Sequence, residues 1–220
     1  MRPTILTAYT DTHRPIYEKH FLPSFHESGM SESWDLHVCE IDRPSGKYGT
    51  QEFNDYLREL MVKFLEFMAA RPGATIIHAG CDIRFYRNVT QDIISGLEKL
   101  ELLAINDNYG LACCDFFAFK VTDRILDMYQ WTIENEGHFP NNEFAFNHYL
   151  RQHSVSVGIL PVQYWTIGLS NGGKPWSPGM LVNPPPDIAL HHGNFTIGAD
   201  NKIALMDAVL ACVRQNASQC

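Results

Sequence analysis

The sequence predicts an α/β fold built on one mixed, mostly parallel sheet with helices on both faces, and three observations predict it. "PTILTAY" (3–9) and "ATIIHAG" (74–80) are short apolar, β-branched runs of the kind that form buried strands. Between them, "QEFNDYLRELMVKFLEFMAA" sets Phe53, Leu57, Leu60, Met61, Phe64, Leu65 and Met68 at helical spacing. Strand and helix patterns then alternate, which is the order that parallel βαβ units require. A length of 220 residues suits one large core, so residues 1–220 are expected to form a single domain.

The elements follow in order. "RPIYEKHFLPSFHES" reads as a helix interrupted near Pro23, and "WDLHVCEI" as the second strand. "RPSGKYGT" is a loop by its Pro, Gly and Ser content, and "RPG" (71–73) stops the long helix. "TQDIISGLEKL" is a short helix, and "ELLAIND" and "DFFAFKV" are strands. Thr122 caps the helix "TDRILDMYQWTIEN", and "NNEFAFNHYLRQH" makes another. "SVGILPVQYW" is expected to be one strand. "GLSNGGKPWSPGMLVNPPP" has four Gly and five Pro in nineteen residues and reads as an irregular loop or lid. "DIALHHGNF" is the last strand, and "GADNKIALMDAVLACVRQN" the closing amphipathic helix.

Composition excludes several classes. A net charge of −8 gives no basic face for nucleic acid. The N-terminal stretch has no apolar signal core, and no apolar run approaches the ~20 residues of a membrane helix, so the expectation is a cytoplasmic protein without a transmembrane segment. Six cysteines without a C-x-x-C pair argue for reduced thiols. Neither a dinucleotide-binding glycine fingerprint, a Walker loop, a serine elbow nor H-E-x-x-H is present.

What remains is a set of polar groups at predicted strand ends, where ligands collect in open α/β sheets. Asp82, in "TIIHAGCDIRFY", follows an apolar strand; it serves there as a turn or cap, or holds a divalent cation beside a diphosphate. "LHHGNFTIGADNK" is either a satisfied turn or a diphosphate cradle, with glycines for close backbone approach, a helix N-terminus and Lys202. Asn142 and Glu143 open a helix, either as its cap and first-turn acid or as groups aimed at a reacting sugar, with Glu143 as the acid or base. Asp107 and Asn108 contact a polyol or form an Asx turn, the turn being the simpler reading. Asp115 begins a strand and is within reach of a sugar hydroxyl. Trp176 stacks on a sugar face or anchors its loop.

The pieces together resemble the GT-A glycosyltransferases, the nucleotide-diphospho-sugar transferase group with its small viral and bacterial members. "GCDIRFY" is similar to that group's D-x-D strand end, with Gly80 where the first Asp stands and Asp82 at the second. "DFFAFK" resembles its aromatic "GFFA" strand, "NNEFAFN" its N-D-Q helix start, and "HGNFTIGADNK" its H-x-N-[WF]-x-x-G-x-x-x-K motif. The resemblance runs from Thr7 to the final helix. It implies a single-domain GT-A, Rossmann-like fold and metal-assisted transfer of a sugar from a nucleoside diphosphate, a UDP- or GDP-sugar, to a glycan or other hydroxyl acceptor.

By that resemblance Asp82 and His192 are ligands of Mn²⁺ or Mg²⁺. Thr7, Ala8, Tyr9, Thr10 and Asp11 lie near the donor nucleoside and Asn194, Gly198 and Lys202 at the diphosphate, with Cys81 a further cofactor-binding candidate. Glu143 and Asn142 stand at the catalytic position. Gly80, and the Asn142–Glu143 pair in place of an acid and amide, depart from the pattern. The competing readings are a nucleotide-sugar-binding module without turnover and a nucleotide-sugar hydrolase.

Overall fold

A computed structural model describes residues 2–46, 49–107 and 110–218. Its centre is a six-stranded sheet in the order β2-β1-β3-β6-β5-β7. β1 (Thr4–Thr10) lies parallel to β2 (Asp35–Ile41) and to β3 (Thr75–Ala79), β6 (Leu111–Lys120) is inserted antiparallel between β3 and β5 (Leu102–Asp107), and β7 (Val157–Ile159) runs parallel to β5. The expected mixed, mostly parallel sheet is present, with β6 as the reversed strand.

Alternation along the strands sends side chains into two apolar layers. On one face Leu6, Ala8, Phe117 and Phe119 pack with Phe64 of α4 (Gln51–Ala69) and Tyr129 of α6 (Asp123–Asn135). On the other, Ile5, Tyr9, Phe116 and Ala118 meet Phe21, Phe25 and Phe85. Thr122 caps α6 as expected, its side chain accepting from the Ile125 N–H.

Four local expectations are corrected. The break near Pro23 is instead a π-helical turn, Tyr17–Phe21, joining α1 (Arg14–Ile16) to α2 (Leu22–Glu27). Pro23 has no N–H to give to a residue four back, and the wider turn before it absorbs the mismatch. α3 (Met30–Ser33) then leads into β2. "SVGILPVQYW" forms two strands in different sheets, β7 and β8 (Tyr164–Thr166), because the chain turns at Pro161, whose carbonyl accepts from the Tyr164 N–H. β6 begins at Leu111, four residues before the expected start at Asp115, and a further short strand, β4 (Ile83–Phe85), follows Asp82 directly.

β4 joins a second sheet, in the order β4-β9-β8, with β9 spanning Leu190–His192. α5 (Thr90–Gly96) and α7 (Asn142–Gln152) flank the main sheet, and α8 (Gly168–Asn171) starts the long loop. Trp165, Ile167 and Trp176 pack against Leu205 and Val209 of α9 (Ala199–Ala217). Among the described residues no helix is long and apolar enough to cross a membrane.

Candidate active site

The site forms at the edge of the main sheet where β1, β3 and β5 end and the reversed β6 begins. Register brings its parts together. Ile83 pairs with His192 across β4 and β9, and the Gly193 N–H donates to the Asp82 carbonyl at 2.8 Å. Residues 109 and 111 apart in sequence thus become neighbours. A Cβ on Gly193 would lie 3.2 Å from that carbonyl, so the approach uses the missing side chain.

Asp82 is buried, with Oδ1 3.5 Å from His192 Nε2 and Oδ2 accepting from Lys202 Nζ. Burial pushes this carboxyl up, but Lys202 and then His192 outweigh it and hold it well below the usual carboxylate range. Lys202 comes from the first turn of α9, which starts after Gly198 at φ +86°, a conformation suited to glycine. Asp115 on β6 points at the same imidazole, Oδ2 lying 3.7 Å from Nε2, while its other side is half open to the cleft. Desolvation raises Asp115, His192 opposes that, and Asp82 adds to it.

On the imidazole's far side Nδ1 lies 3.6 Å from Cys113 Sγ. His192 Nε2 is buried and has no hydrogen-bond partner. Cys113, Asp115 and His192 offer ligand atoms within 4.8 Å of one another. An octahedral ion with ligands at 2.0–2.1 Å sets neighbouring ligands about 2.9 Å apart. The carboxylate–imidazole gaps of 3.5 and 3.7 Å are wider than that by less than about 1 Å, a side-chain adjustment, and carboxylate oxygens with an imidazole nitrogen are donors that suit Mn²⁺ or Mg²⁺.

A second acidic centre borders the first. Glu143 Oε2 accepts from the Cys114 N–H at 3.4 Å and bonds with the Asp107 side chain. Burial, then Asp107, then Asp115 push its carboxyl up to about 8. Asp107 is buried at the end of β5 and accepts from Asn194 Nδ2 at 3.4 Å, and Asn194 in turn accepts from Thr166. Asp107 is thus part of the site, where sequence reasoning favoured a turn; Asn108 lies outside the described residues. His13, within hydrogen-bonding distance of Thr10 at 3.2 Å and within electrostatic reach of Lys202 and Asp82, had no signal in the sequence.

No protein-family profile and no curated protein matches the sequence. Solved structures do match. A glycosyltransferase involved in glycosylation of the major capsid of PBCV-1 superposes with TM-score 0.62 and 8% identity, over 94% of this chain and 100% of that one. The apo-form glycosyltransferase GlyE of Streptococcus pneumoniae TIGR4 gives 0.59 and 10%, over 100% of this chain and 64% of that one. An active-site mutant of LgtC gives 0.58 and 10%, over 86% of each. The chain has a GT-A glycosyltransferase fold.

Within the GT-A frame the other expected residues are spread unevenly. Thr7 and Ala8 are buried inside β1, and the Thr7 hydroxyl has no partner. Tyr9 is 5% exposed; its hydroxyl donates to Glu40 at 2.6 Å and its ring lies 4.6 Å from Tyr17, with the Arg14 guanidinium 5.0 Å over it. Thr10 is buried at the strand end, and Asp11 is exposed beside Arg14. Cys81 is turned into the apolar layer, where burial and the Asp82 charge push its thiol up. The cap of α7 is Asn141, which accepts from the Phe144 N–H at 3.0 Å. Asn142 instead lines a small internal cavity of about 20 Å³ with His78 and Tyr129. Trp176 is 4% exposed, its indole donating to the Met180 carbonyl at 3.1 Å, so it anchors its loop.

Proposed function

We propose that this protein is a metal-assisted glycosyltransferase that moves a sugar from a nucleoside diphosphate, UDP or GDP, to a hydroxyl of a glycan acceptor. The observation that carries the reading is the convergence of Asp82, His192 and Lys202 at the carboxyl edge of a GT-A sheet. Such a cluster suits a diphosphate: Lys202 is a mobile point charge, the first turn of α9 has free N–H groups, and Asn194 and Gly198 leave room beside them. Asp82 and His192 would hold Mn²⁺ or Mg²⁺. The ion, when bound, would neutralise charge on the leaving diphosphate.

In the transfer, an acceptor oxygen bonds to the anomeric carbon as the bond from that carbon to the phosphate oxygen breaks. Lys202, released from Asp82, stabilises the departing diphosphate. Glu143, held protonated near neutral pH, turns its single O–H from Asp107 to the sugar or the acceptor and does not act as the base. The acceptor's proton then passes to the leaving phosphate. The Thr10 end of β1 lies toward the nucleoside.

Calorimetry with UDP- and GDP-sugars, with and without Mn²⁺, tests the donor. Incubation of the bound donor with glycan acceptors tests transfer against hydrolysis. Absence of binding by every nucleotide sugar would refute the reading.

A further inference from the structure

Gly80 and Asp115 face each other across the ladder. β3 and β6 pair antiparallel with Ala79 opposite Phe116, and one step beyond it the Gly80 N–H donates to the Asp115 carbonyl at 2.7 Å. A Cβ built on Gly80 would stand 3.5 Å from the Asp115 Cβ and 2.8 Å from Asp82 Oδ1. Any side chain at position 80 must therefore displace the Asp82 carboxylate. The space beside Asp82 that a residue at 80 would fill is reached instead from the neighbouring strand.

We infer that Asp115 supplies the carboxylate missing at Gly80, so that the metal set of this chain is Asp82, Asp115 and His192 Nε2. This rests on the metal-assisted reading above and goes beyond it by assigning a ligand. Two observations carry it. Asp82 and Asp115 approach the same ring nitrogen from different strands, at 3.5 and 3.7 Å. That nitrogen is buried and makes no well-formed hydrogen bond, the two carboxylates standing off it at a spacing a cation can close. Asp115 is half open to the cleft, so an ion can enter along its side. Cys113 has a different part: at Nδ1, on the far side of the ring, its thiol holds the imidazole so that Nε2 points at the carboxylates.

The test is Mn²⁺ binding to the full chain, read by calorimetry and by loss of the free-ion paramagnetic resonance signal, with circular dichroism as the check on folding. Asp115→Asn keeps the shape and removes the charge; it should weaken Mn²⁺ at least tenfold, as should Asp82→Asn. Gly80→Asp should not improve affinity, because its Cβ displaces the Asp82 carboxylate. If wild type and Asp82→Asn differ but Asp115→Asn binds like wild type, the assignment of Asp115 fails and the metal reading stands. If wild type takes up no Mn²⁺, even with UDP present, both fail.

Discussion

Replacing Glu143 by Gln separates the two roles open to that residue. Its carboxyl is pushed up to about 8 in the folded protein, against about 4.3 in an unfolded chain. The sign follows from linkage: a raised acid contributes stability that is complete below the unfolded value and is lost as pH rises through the folded one. Between pH 6.0 and 7.5 the unfolded chain has released this proton while the folded protein keeps it. Each pH unit there lowers stability by about 1.4 kcal/mol, so the interval removes about 2 kcal/mol. Glu143→Gln cannot ionise and lacks this slope. Urea titrations of both proteins at several pH values give the difference directly, since all other titrating groups are shared. The variant should gain about 2 kcal/mol on wild type across the interval. In transfer assays at pH 7 it should keep activity within a few-fold, because the amide donates the same hydrogen bond. Parallel stability curves would refute the buried, protonated carboxyl. A loss of a thousandfold in rate would refute its role as donor and restore it as the base.

Lys202→Met leaves Asp82 buried without its cation and should destabilise the fold by about 3 kcal/mol, while Asp82→Asn in the same chain should recover most of that; a single variant as stable as wild type in urea would contradict the pairing. Gly198→Ala meets no steric contact but must hold φ +86°, so a loss of about 1 kcal/mol is expected together with weaker UDP binding, and an unchanged melting temperature would exclude strain there. Burial lowers His20 to about 4 and His78 to about 3. Each therefore contributes stability that is complete above about pH 6.5 and is lost as pH falls through the folded value. Urea midpoints should drop between pH 6.5 and 4.5, and a flat profile there would show that these imidazoles are not buried neutral.

Local periodicity made much of the scaffold readable. β1, α4 and β3 carry enough apolar residues in one repeat to declare both type and extent, and α6 shows its cap in Thr122. β4, β8 and β9 are three residues each, too short for any repeat to register, and they form the sheet that assembles the site. In sequence Asp115 belongs to an aromatic core strand within reach of a sugar hydroxyl, and Asp107 to a turn. Their convergence depends on β6 entering antiparallel between β3 and β5, a long-range pairing that no local pattern of charge or hydropathy encodes.

The same short sheet decides which of two adjacent histidines serves the site. In sequence His191 and His192 are equivalent. In a strand their side chains take opposite faces, and pairing of Ile83 with His192 turns the second toward Asp82 while Arg84 faces the first. His191 lies fully buried, its ring 5.3 Å from Trp165 and both nitrogens unpartnered. A slip of one residue in this register would exchange the two rings and face the cleft with the other. Trp165 lies against His191 and is itself packed with Leu205 and Val209, which opposes that slip. The apolar contacts behind β9 therefore have a chemical consequence: they hold Nε2 of His192 between two carboxylates that come from different strands of the main sheet.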